Sequence, residues 1–131
     1  MIAHPQMLLD SNIVIYAVQP AYLTLQQFIA VHRPVVSAVT YVEVLGFHRL
    51  APPDRQALER FFAAARILPI DQPVLERAVA LRQQRRMSLG DALIAATALV
   101  HGLTLVTHNT SDFQWVGDLV IHDPLVPGTG P

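Results

Sequence analysis

Short apolar runs alternate along this chain with longer stretches of helical periodicity, and that alternation limits the fold more than any other property. Residues 6–9, 34–37, 67–70, 103–107 and 119–121 read as strands. Residues 11–18, 22–31, 39–48, 52 to about 65, 72–86 and 90–100 read as helices. Strands separated by helices predict an α/β fold with a mostly parallel sheet, because parallel neighbours need a long crossover. Pro69 assigns the 67–70 run to a sheet edge, where a missing N–H is tolerated. In the 72–86 helix, Val74, Leu75, Ala78, Val79 and Leu81 are expected to face inward and the arginines outward. The 90–100 helix is apolar almost all round, so it is expected to be buried. Pro52 and Pro53 suit a helix's first turn. The 131 residues read as one domain, with 1–6 an extension and 123–131 an irregular tail.

An apolar fraction of 52% and a mean hydropathy of +0.36 are high for a small globular chain and suggest that a partner covers part of the surface. The apolar runs fall short of a membrane span, and residues 1–6 lack the basic start of a secretory signal. Cysteine is absent, which excludes disulfides and thiolate metal sites. The six histidines form no ligand-spaced pair. All nine basic residues are arginine, and the net charge is −1, so no global basic footprint for nucleic acid exists. Arg77, Arg82, Arg85 and Arg86 do cluster, as solvated helix-end charges or as phosphate contacts.

Against that apolar background stand four acids: Asp10, Glu43, Asp91 and Asp112. Asp10 follows the first strand, Glu43 lies in the helix after the second, Asp91 opens the helix before the fourth, and Asp112 lies in the loop after it. Ligands of an open parallel sheet bind beyond the carboxyl ends of its strands, where strand order reverses. If strands one and four are neighbours there, the four carboxylates converge. Each has a structural alternative: a helix cap for Asp10, a dipole partner for Asp91, an Asx turn for Asp112, a solvated stripe for Glu43. Two carboxylates ~5 Å apart repel by about 3 kcal/mol at an effective dielectric of 20. The chain holds no lysine, and a divalent cation is the economical partner. A receiver domain or a haloacid-dehalogenase-type phosphatase needs a lysine and a second acid near the first, and Asn12 stands where the phosphatase places that acid.

Four segments carry a resemblance: 7–16 (MLLDSNIVIY), 37–44 (SAVTYVEV), 90–98 (GDALIAATA) and 105–113 (LVTHNTSDF). In this order they resemble the four motifs of PIN-domain ribonucleases, and most closely those of the VapC-like toxins of type II toxin–antitoxin systems. The resemblance implies an α/β/α sandwich around a sheet of about five strands, and Mg²⁺- or Mn²⁺-dependent endonucleolytic cleavage of RNA. It matches Asp10, Glu43 and Asp91 to the family acids, leaves the fourth position to Asn109 or Asp112, and gives Asn12 and Thr107 supporting hydrogen bonds. It also implies that the chain starts near Met7. Arg85 and Arg86 are candidates for steering an RNA backbone. A homodimer, a cognate antitoxin and a cytoplasmic setting are the further expectations, with Tyr16, Tyr22, Leu23, Leu25 and Phe28 as the candidate antitoxin contact; ordinary core packing is the alternative for any single one of them. The alternative is a catalytically weak PIN scaffold that binds RNA or protein.

Overall fold

The structure is a computed structural model and describes residues 6–126. The expected extension before residue 6 and the end of the tail after 126 lie outside those residues. Five short strands are present: β1 (Met7–Leu9), β2 (Val36–Ser37), β3 (Ile67–Leu68), β4 (Thr104–Val106) and β5 (Ile121–His122). Every pairing is parallel. β1, β4 and β5 form one sheet in that order, β2 pairs with β3, and a parallel bridge between Leu8 and Val35 joins the two groups. Hydrogen bonds from Leu9 N to Val35 O (2.9 Å) and from Val35 N to Met7 O (2.8 Å) make that join. The spatial order is therefore β3-β2-β1-β4-β5, with β3 at an edge beside Pro69. Strand order reverses between β1 and β4, where a crevice opens in such sheets.

The helices are α1 (Ser11–Ala17), α2 (Leu23–His32), α3 (Ala38–Leu45), α4 (Pro52–Ala64), α5 (Gln72–Gln84), α6 (Leu89–His101) and α7 (Thr110–Phe113). Local chemistry sets their ends. Ser37, Asp71 and Ser88 cap α3, α5 and α6 through side-chain oxygens. Gly102, at φ 65°, ends α6 in the left-handed conformation that glycine adopts without a Cβ penalty. Arg33 ends α2 the same way at φ 47°.

Strand periodicity divides the core. Leu8, Val35 and Leu105 point to one face, against α5, α6 and α7. Met7, Leu9, Val36 and Val106 point to the other, against α1 to α4. Both faces are thus covered, as parallel sheets require, and the result is a three-layer α/β/α arrangement. Residues Ala92 to Ala98 of α6 are all buried, as an all-round apolar helix must be.

Two inward-facing assignments are corrected. α5 docks on α6 through Val74, Ala78 and Leu81, a stripe spaced four and three residues apart. Leu75 and Val79 sit one residue further round the helix and are 43% and 57% exposed. Conversely, Leu25 is buried in the core between α2 and the sheet, so it does not belong to a contact surface. Of the five residues expected there, Leu23 is exposed, Tyr16 and Tyr22 stack on each other at 5.0 Å, and Phe28 stacks on His122. Among the described residues no single helix is long and apolar enough to cross a membrane; α1 and the 20–32 segment reach that length only together, with a 99° bend.

Candidate active site

The end of β1 delivers Asp10 into the crevice. Its backbone N–H donates to Val106 O of β4 (2.9 Å), which fixes the residue at the β1–β4 junction. The side chain caps α1 through the Ser11 N–H to Oδ1 (2.8 Å), so the structural reading of Asp10 also holds. The buried Thr107 hydroxyl, just past β4, donates to the other oxygen, Oδ2, at 2.8 Å. Thr107 Oγ1 in turn accepts the Asn109 N–H at 3.0 Å. Each carboxylate oxygen of Asp10 thus has one protein donor and keeps lone pairs for another partner. Burial pushes the Asp10 carboxyl above its usual range, the Thr107 and Ser11 bonds pull it back, and the charges of Glu43 and Asp112 push it up again.

Asp91 occupies the first turn of α6, its N–H bonded to the Ser88 cap (3.1 Å). Burial raises its pKa to about 6, with the Asp10 charge next in weight, against a Ser88 hydrogen bond that lowers it. Asp112 and Glu43 add smaller upward contributions. The charges of Glu43 and Asp112 thus act on both Asp10 and Asp91.

Glu43 lies on the exposed side of α3 and turns its carboxylate inward. Ser11 Oγ is 2.7 Å from Glu43 Oε1 and 3.1 Å from Thr40 Oγ1. A hydroxyl has one proton, and the shorter, charge-assisted bond to Glu43 takes it. Thr40 is buried one helical turn before Glu43, so Ser11 links α1 to α3 beneath the carboxylate.

These side chains surround a cavity of about 200 Å³ lined by Asp10, Ser11, Asn12, Glu43, Asp91 and Asn109, with Ile15 and Val44 as its apolar wall. No arginine lines it. Asp112 is exposed on α7, outside the lining, and acts on the site through its charge. Arg85 and Arg86 are also outside it. Arg85 stacks over Trp115 at 5.4 Å, and Arg86 lines a separate groove with Val79, Arg82, Gln83 and Met87. Ser11, Thr40 and Gly90, against which the Glu43 carboxylate rests, were not singled out from the sequence. Of the three only Thr40 has a local signal, its i, i+3 spacing from Glu43.

The donors are all oxygens, the set that hard divalent ions prefer. Among the described residues no group of three or more acids or histidines is placed to hold a metal ion by itself. An ion held by these residues would complete its coordination shell with water.

The PIN-domain family model matches residues 7–119. A tRNA(fMet)-specific endonuclease VapC of Shigella flexneri is 30% identical over 126 residues, covering 88% of this chain and 96% of that protein. Ribonuclease VapC10 of Mycobacterium tuberculosis is 36% identical over 83 residues, with 60% of this chain and 61% of that protein covered. Among solved structures, a chain of a toxin–antitoxin complex from Klebsiella pneumoniae superposes with a TM-score of 0.75 at 30% identity, over 91% of this chain and 98% of that one. A chain of DNA-bound VapBC from Salmonella typhimurium superposes at 0.79 with 20% identity, over 92% and 99%, a likeness of fold. The chain belongs to the PIN-domain family.

Proposed function

We propose that this chain is a divalent-metal-dependent endoribonuclease and the toxin of a toxin–antitoxin pair. The observation that carries the reading is the buried Asp10, sharing a cavity with Asp91 and Glu43 and no protein cation. Such a site is electrostatically incomplete by itself: burial and mutual repulsion hold Asp91 near pH 6. The named relatives supply the reaction class, since two are called an endonuclease and a ribonuclease.

In this reading Asp10, Asp91 and Glu43 hold Mg²⁺ or Mn²⁺, directly or through water, with the Asn109 side chain as a neutral fourth oxygen. Asp112 adds negative charge from outside the cavity. The bound ion supplies the positive charge that lets water act as a nucleophile and offsets charge building on the scissile phosphate. Thr107 lowers the Asp10 pKa against the burial that raises it, and fixes the carboxylate at the cavity. Ser11 keeps the Glu43 carboxylate at the rim, where it orients the attacking water in line with phosphorus. Asn12 gives the rim an uncharged hydrogen-bonding group. Arg85, stiffened by Trp115, and Arg86 contact the RNA backbone away from the reacting bond. An antitoxin covers the surface around Leu23, Tyr16, Tyr22 and Phe28, and two copies of the chain associate.

Purified protein incubated with tRNA and ribosomal RNA should cleave one or both with Mn²⁺ and neither with EDTA. Asp10→Asn should abolish the cleavage with an unchanged circular dichroism spectrum. Full cleavage by that variant would remove Asp10, and the reading with it.

A further inference from the structure

Gly90 stands in the first turn of α6, two residues past the Ser88 cap. Almost any other residue is a better helix former, by up to about 1 kcal/mol. Its backbone does not require glycine: among the described residues the glycine at positive φ is Gly102. The reason lies on the facing helix. A Cβ at residue 90 would run into Glu43 Oε2, with Glu43 Cδ at 2.9 Å and Oε1 at 3.3 Å, so its three nearest neighbours are one carboxylate. The other end of that carboxylate is held by Ser11 at 2.7 Å. Glu43 is exposed on α3, and without these two contacts nothing in its own helix would turn it inward.

We propose that Gly90 is a positioning residue: the missing side chain is the space in which Glu43 lies, beside Asp91 of the same helical turn. The proposal rests on the reading of Glu43 as a working carboxylate. Its consequence separates stability from function. The displaced atoms are the far end of a flexible side chain, so Gly90→Ala leaves the fold intact and adds helix propensity to α6. The Glu43 carboxylate meanwhile swings away from the cavity.

The test is a cycle of Gly90→Ala, Glu43→Ala and the double variant, read by thermal midpoint, by Mn²⁺ titration calorimetry and by tRNA cleavage. Gly90→Ala should melt at or above the wild-type temperature and lose about 10- to 100-fold in Mn²⁺ affinity, cleavage or both, the usual effect of an outer-shell change. In the Glu43→Ala background it should change neither. Wild-type binding and cleavage by Gly90→Ala, with Glu43→Ala impaired, overturns the proposal alone. A lowered melting temperature, or a loss that persists without Glu43, overturns it too by giving Gly90 a structural role. Wild-type behaviour of Glu43→Ala overturns the functional reading of Glu43 and the proposal together.

Discussion

Asp91→Asn should stabilise this protein when metal is withheld. The Asp91 carboxyl titrates at about 6 in the fold against 3.8 unperturbed. A carboxyl whose folded pKa is raised binds its proton more tightly in the native state. It is therefore without penalty below pH 3.8, and stability falls as pH climbs from there to about 6. A shift of about two pH units corresponds to at most ~3 kcal/mol. Asp91 keeps some solvent access, which reduces the expected cost to about 1–2 kcal/mol at neutral pH. Asparagine carries no charge and removes that cost. With an unfolding entropy typical for a chain of this size, the gain amounts to about 4–8 °C in Tm. The assay is a thermal melt followed by circular dichroism in EDTA, at pH 7.5 and again at pH 4. The variant should melt higher at pH 7.5 and level with the wild type at pH 4. Adding Mn²⁺ at a hundredfold its Kd should then return about 2.7 kcal/mol to the wild type and much less to the variant. Equal melting at pH 7.5, or an advantage of the same size at pH 4, would refute the electrostatic reasoning.

Thr107→Val removes a buried donor from Asp10 and an acceptor from the Asn109 N–H, at a cost of about 1–3 kcal/mol in denaturant unfolding. The Thr107 bond lowers the Asp10 pKa, so its loss should move the acid limb of the cleavage pH profile to higher pH. Leu25→Ser should destabilise the fold by about 2–5 kcal/mol, since Leu25 is 2% exposed. Leu23→Ser, at an exposed position, should change stability by less than ~0.5 kcal/mol while weakening antitoxin co-purification. Arg85→Ala should reduce the salt slope of tRNA binding by about 0.7, the share of one single-strand phosphate contact; an unchanged slope would exclude Arg85 from the RNA path.

The parts of the fold that periodicity decides were legible in the sequence. Residues 7–9 read as a strand because they form a short apolar run, and α6 is buried because apolar residues surround it. The adjacency of β1 and β4, needed for the acids to meet, rests on pairings between residues 97 apart, such as Leu8 with Leu105, which no local pattern encodes. In α5 the apolar pattern alone does not place Leu75 and Val79, which are as apolar as the residues beside them; only the packing on α6 separates them. For Leu25 the sequence leaves core packing and docking both open, since a core leucine and a docking leucine look alike; its burial decides for the core. At the site, the acids stood out as charges in apolar segments. Ser11 and Gly90 did not, because their roles depend on where the Glu43 side chain goes. The short helix α7, four residues long, has too few turns to show a period.

The central claim is that oxygens from β1, α3 and α6 share one divalent ion. Crystals of the protein soaked in MnCl₂ and measured at the manganese edge test it directly. The account predicts an anomalous peak in the cavity bounded by Asp10, Glu43, Asp91 and Asn109, and its loss in Asp10→Asn. A peak bound elsewhere, or a cavity still empty at saturating Mn²⁺, would contradict it.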